Sequence, residues 1–82
     1  MSNYNHLVAR LERHIQYYLG RYNAEPDRLR VLVSPEDMKT IWDNTKWVGS
    51  VSLDQRTLRP RILGVLAYEV PDVKTTVVLC DV

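Results

Sequence analysis

Two histidines and one cysteine are the side chains of this sequence most suited to metal binding or nucleophilic chemistry. His6 and His14 are eight residues apart. On a helix that spacing is about 12 Å of rise, too far for one metal ion without further ligands. Cys80 has no second cysteine to pair with, and the neighbouring Asp81 disfavours the thiolate that a nucleophilic cysteine needs. We therefore predict surface histidines, a packed or edge cysteine, and no metal site.

Glu36 and Asp37 are adjacent carboxylates, a residue type that general acid–base catalysis uses. They directly follow Ser34 and Pro35, which are typical of the N-cap and the first position of a helix. Negative charge is favoured there by the helix dipole, and Asp37 occupies the capping-box position. The sequence also lacks a glycine-rich phosphate loop, a GxSxG elbow and an HExxH motif. We expect no enzymatic activity, no cofactor and no small-molecule substrate.

Arg56, Arg59 and Arg61 form the most notable charge cluster of the sequence. Guanidinium groups on an exposed arm can bind phosphate or an acidic partner. The alternative, which we favour, is a solvated loop with ordinary surface charge.

Aromatic residues are the other candidates for binding. A tyrosine buries its ring and keeps its hydroxyl group in water, so Tyr17, Tyr18 and Tyr22 suit the margin of a core or a protein interface. Trp47 suits either the core or an interface anchor, whereas Trp42 is expected in the core. The residues that we predict to contact a partner are Trp47, Arg56, Arg59, Arg61, Tyr17 and Tyr22.

Two helices are predicted to position these residues. Apolar side chains recur every three or four residues over positions 4–22, which is typical of an amphipathic helix, and Gly20 favours an end between residues 19 and 23. A second helix is predicted to start at Pro35, behind Ser34 as its N-cap. Its predicted buried stripe consists of Met38, Ile41, Trp42 and Thr45.

Three apolar runs predict strands. In residues 28–33, apolar side chains alternate with mostly polar ones, which is typical of a strand. Residues 62–69 are almost continuously apolar, as in a central strand covered on both faces. Residues 75–81 form the last run. Gly64 suggests a bulge or a close backbone approach. Pro71 and Asp72 favour a turn, so we predict that the last two strands form a C-terminal β-hairpin.

Residues 46–61 lack a regular pattern and are predicted to be a variable loop or arm, in which Val51 and Leu53 suit a short strand. The 82 residues suffice for one small domain, and the formal charge of +1 gives no global reason to expect an anionic partner. No apolar run approaches the length of a membrane span, and we expect a cytoplasmic protein. The predicted fold is a single α+β domain with a helix, a strand, a second helix, the variable segment, and a hairpin that completes a small sheet.

The order of these elements resembles the axial domain of tailed-bacteriophage major capsid proteins and encapsulins. The matching residues are 31–42, 62–68 with Gly64, and 71–82, about two-thirds of the chain. The sequence lacks the long spine helix, the peripheral domain and the extended loop of that family. It has Val65, Leu66 and Ala67 after Gly64, where the family often has a proline.

The resemblance implies a free-standing, phage-encoded domain that binds protein or self-associates, as an accessory or assembly protein of the virion. It would act in the bacterial cytoplasm or in the virion. One alternative is a small inhibitor of a host or defence protein. A second alternative is nucleic-acid binding through Arg56, Arg59 and Arg61, which we place last because basic and aromatic residues are not interleaved on one predicted sheet face.

Overall fold

A computed structural model describes residues 3–44, 47 and 50–80 of the chain. Two helices and five strands occur in this part, so the predicted α+β class is confirmed. The elements are α1 (Asn3–Arg21), a 3-10 turn (Pro26–Arg28), β1 (Leu29–Val33), α2 (Pro35–Asp43), β2 (Val51–Leu53), β3 (Pro60–Ile62), β4 (Val65–Glu69) and β5 (Val77–Cys80).

The five strands form one mixed sheet in the order β2-β3-β4-β1-β5. Strands β2, β3 and β4 pair antiparallel in sequence order, whereas β1 pairs parallel with β4 and antiparallel with β5. The predicted C-terminal hairpin is therefore wrong, because β1 lies between β4 and β5. The Val70 amide donates to the Val33 carbonyl at 3.0 Å, so the chain leaves β4 still bound to β1 before it crosses to the far side.

The run over residues 62–69 is two strands rather than one. Leu63 and Gly64 have φ angles of 53° and 81° and connect β3 to β4. Two successive residues with positive φ are the conformation of a tight type I′ hairpin turn. Gly64 thus serves a turn and not a bulge. The short strand predicted at Val51 and Leu53 is present as β2, whereas residues 60 and 61, predicted to be irregular, belong to β3.

Helix α1 ends at Arg21, inside the predicted boundary, and Asn23 follows with a φ of 52°, in the left-handed region that asparagine tolerates at helix ends. Leu11 and Ile15 are fully buried on the side of α1 that packs against the sheet.

Helix α2 begins as predicted. The Ser34 hydroxyl accepts a hydrogen bond from the Asp37 amide at 3.2 Å, which caps the first turn. Met38 and Ile41 are buried, but Trp42 is 49% exposed, so its predicted place in the core is wrong. One residue along a helix rotates the side chain by about 100°, which carries Trp42 away from the direction of Ile41. Thr45 lies outside the described residues.

Both helices lie on one face of the sheet. Their buried side chains share one hydrophobic cluster with alternate residues of the strands, among them Val31, Ile62, Val65, Ala67 and Val78. The strand residues between these positions point to the opposite face, because side chains alternate along a strand. We call that opposite surface the outer face. It comprises Arg30, Leu32, Ser52, Arg61, Leu66, Tyr68, Val77 and Leu79.

Candidate protein-binding surface

Neither helix covers the outer face, which carries an apolar row across β4, β1 and β5 with Arg30 and Arg61 beside it. Across the strands, Leu32 is paired with Tyr68 on one side and with Val77 on the other. Val77 is 38% exposed and Leu79 is 47% exposed, while Leu66 and Tyr68 are half-buried. A contiguous apolar surface on a small protein is typical of a binding site.

The three arginines of the predicted cluster have three different environments. The Arg61 Nε atom lies 3.0 Å from Asp54 Oδ1, and its terminal nitrogen donates to the Gly64 carbonyl at 2.7 Å. Arg59 lies over the Tyr68 ring, 4.8 Å from its centroid, at the border of the outer face. Arg56 is exposed in the β2–β3 turn. The cluster therefore divides into one residue of the outer face that is paired with Asp54, one residue at the border of that face and one turn residue.

Asp54 organises the turn between β2 and β3. Its Oδ2 atom accepts hydrogen bonds from the Thr57 hydroxyl at 2.5 Å and the Thr57 amide at 2.9 Å. These bonds, together with Arg61, lower the pKa of Asp54 from 3.8 to about 2. Leu58 follows with a φ of 58° and is 66% exposed, although leucine rarely adopts the left-handed region.

Tyr17, Tyr18 and Tyr22 form a cluster at the end of α1. Their ring centroids are 5.6 to 6.1 Å apart, and Tyr17 and Tyr22 are each more than half exposed. A hydrogen bond with Tyr22, reinforced by desolvation, raises the pKa of Tyr17 above its ordinary value. The structure thus brings two predicted binding residues together.

A groove runs between α1 and the free edge of β5, and we call it the edge groove. It has a volume of about 300 Å³ and is lined by His14, Tyr17, Tyr18, Val77 and Val78. A second depression of about 380 Å³ lies where α1 meets α2. Its lining residues are His6, Leu7, Arg10, Arg13 and Asp37.

Trp47 contacts α2 and packs partly buried against the core. Its indole nitrogen donates to the Ile41 carbonyl at 2.9 Å, and its ring lies 5.1 Å from that of Trp42. These contacts place Trp47 against the helical layer, away from the outer face. Of the two tryptophans, Trp42 is the more exposed.

No protein-family model, curated protein or solved structure matches this chain. The capsid-domain resemblance therefore stays a prediction from the sequence pattern. Within residues 3–44, 47 and 50–80, no group of three histidine, cysteine or acidic side chains is arranged to hold a metal ion. No helix in the same residues is long and apolar enough to cross a membrane.

The sequence pattern missed the outer face. The continuously apolar run over residues 62–69 predicts a strand covered on both sides, whereas Leu66 and Tyr68 are half-buried on the outer face. The available signal was the alternation of β1, in which Leu32 lies on the less apolar face beside Arg30. Because β1 is the central partner of both β4 and β5, that mixed pattern indicated one open face.

Proposed function

We propose that this chain is a non-enzymatic protein-binding module that contacts its partner through the outer face. The observation that carries the proposal is the row Tyr68, Leu32, Val77 across three adjacent strands, with Leu79 exposed beside it. Covering apolar surface contributes roughly 25 cal/mol for each Å² removed from water. Because these side chains are adjacent, a single partner surface could cover all of them at once.

The order of elements supports a virion accessory or assembly protein as the specific role, in the bacterial cytoplasm or in the particle. An inhibitor of a host protein is the alternative, and it would use the same face. Nucleic-acid binding has less support, because Asp54 offsets the charge of Arg61, while Arg59 keeps its charge where it packs on Tyr68. Arg56 then remains as the exposed turn residue of that trio.

Site-specific photo-crosslinking in the cells that produce the protein tests this proposal. A photoreactive residue at position 79 is expected to capture one protein reproducibly, whereas the same residue at position 58 is the matched control. Leu58 is also an exposed leucine, but it lies in the β2–β3 turn and not on the outer face. Capture of a virion protein supports the assembly role, and capture of a host protein supports the inhibitor role. Equal or absent capture at position 79 would contradict the proposal.

The contribution of the apolar side chain itself is tested by Leu79→Glu. Since this side chain is nearly half exposed, the substitution should leave folding intact and abolish capture from a crosslinker at position 77. Leu58→Glu makes the same chemical change outside the outer face and should have no effect. Circular dichroism checks that both variants are folded.

A further inference from the structure

The free edge of β5 is an uncharged edge strand beside helix α1. Edge strands offer unpaired amides and carbonyls, and monomeric proteins protect them with charges, proline, bulges or short length. Both edge strands are short, with three residues in β2 and four in β5. Strand β5 has the sequence VVLC, with no charge, proline or glycine, and no described strand pairs with its outer side.

The flank of α1 beside this edge is basic. His6, Arg10, Arg13, Tyr17 and Arg21 follow one another at spacings of four, three, four and four residues, with His14 beside Arg13. That spacing places them on one side of the helix, which we call the basic stripe.

Two observations place the middle of the basic stripe near β5. His14 and Tyr17 line the edge groove together with Val77. Arg10 and Arg13 line the neighbouring depression with Asp37, whose Oδ2 atom accepts a hydrogen bond from Thr76, the residue before β5.

We propose that the edge of β5 binds an extended acidic segment of a partner protein by strand addition. This inference rests on the proposed protein-binding function and specifies the chemistry of the partner. Main-chain hydrogen bonds to β5 would supply affinity, and side-chain alternation would supply specificity. One set of partner side chains would lie under the basic stripe, where carboxylates fit. The other set would lie next to Val77 and Leu79, where apolar side chains extend the outer face.

The charge of the groove favours this partner over a second copy of the chain. Two copies joined antiparallel through β5 would place both α1 helices on the same side of the joined sheet. Their basic stripes would then face each other across the seam, and like charges disfavour that contact. In the edge groove and the adjoining depression, Asp37 is the one acidic lining residue, and it already lies 3.6 Å from Arg10.

The probe is a capped peptide of alternating glutamate and valine, labelled for fluorescence anisotropy. It should bind the whole chain, and binding should slow hydrogen exchange of β5 amides that point away from β1. The same peptide with lysine in place of glutamate should bind at least about tenfold more weakly. Equal binding of the two peptides would overturn the proposal.

Backbone pairing is tested by methylating the peptide nitrogens. Along a strand, neighbouring amides point to opposite sides, so all glutamate amides face one way and all valine amides the other. Methylation of one set should abolish binding, and methylation of the other should spare it. Tolerance of both sets would show contact through side chains alone and would overturn strand addition.

Two charge-reversed variants locate the site. Arg13→Glu with Arg21→Glu should weaken peptide binding about tenfold or more. Arg28→Glu with Arg56→Glu changes the net charge equally at exposed positions outside the basic stripe and should have little effect. Equal loss in both variants would indicate nonspecific attraction. Displacement of the peptide by a single-stranded oligonucleotide, or a dimer through β5, would also contradict the proposal. Position-79 capture without peptide binding would leave the proposed function standing and remove this inference alone.

Discussion

The Thr76 hydroxyl donates to Asp37 Oδ2 at 2.5 Å and so ties the start of β5 to the first turn of α2. The same hydroxyl oxygen accepts a hydrogen bond from the Ser34 amide at 3.1 Å, and Thr76 is buried. Asp37 also lies 3.6 Å from Arg10 of α1. One short polar network therefore connects both helices to an edge strand. It assigns Asp37 a structural role in addition to its position in the helix start.

Replacing Thr76 with valine tests this network. Valine keeps the shape but cannot donate to Asp37 or accept from Ser34, so buried polar groups lose their partners. We expect Thr76→Val to lower the free energy of unfolding by about 1 to 3 kcal/mol, measured by urea denaturation. Thr75→Val is the matched control, since Thr75 is exposed. Equal stability of the two variants would show that the network contributes nothing.

Asp54 should make stability depend on pH in the acid range. Its folded-state pKa of about 2 lies below the ordinary 3.8, so its charged form is favoured by folding. The stability that it contributes is present above about pH 4 and is lost as the pH falls through about 2. Asp54→Asn should therefore be less stable than the parent near neutral pH, with the difference shrinking toward pH 2. Denaturant unfolding from pH 2 to neutral pH measures this difference in the free energy of unfolding. Asp72→Asn, at an exposed turn position, serves as the control.

Leu58 should be a stabilising position for substitution. Its φ of 58° is costly for leucine and better tolerated by asparagine. Leu58→Asn is expected to raise the free energy of unfolding by about 0.5 to 1 kcal/mol in thermal or urea denaturation. Leu58→Ala removes the exposed side chain but keeps the unfavourable conformation, and it should give no comparable gain. A larger gain from alanine would assign the effect to exposure instead of backbone strain.

The tyrosine cluster can be tested by titration. The hydrogen bond with Tyr22 is the main cause of the raised pKa of Tyr17, so Tyr22→Phe should lower that pKa toward 10. Nuclear magnetic resonance of ring-labelled tyrosine resolves Tyr17 from the other four tyrosines. Tyr68→Phe, in strand β4, should leave the Tyr17 titration unchanged. An unaltered pKa in Tyr22→Phe would exclude the hydrogen bond as its cause.

Short-range signals were sufficient to place the helices. The Ser34 cap acts within three residues, and the apolar spacing of α1 lies within one element. Both helices could therefore be predicted from local sequence alone. Of the predicted binding residues, Tyr17 and Tyr22 do lie together. The pairing of Arg61 with Asp54 was not predictable from local sequence, because Asp54 is seven residues away along the chain and reaches Arg61 only through the β2–β3 hairpin.

Long-range pairing set the features that matter most for binding. Apolar strands have no local preference for one neighbour, so nothing in residues 62–81 indicated that β1 would separate β4 from β5. That insertion leaves β5 as a free edge beside the basic stripe of α1. The helices then cover one side of the sheet, and Leu32, Tyr68 and Val77 meet on the other. Elements followed from local chemistry, whereas the outer face and the edge groove exist only because distant residues pack together.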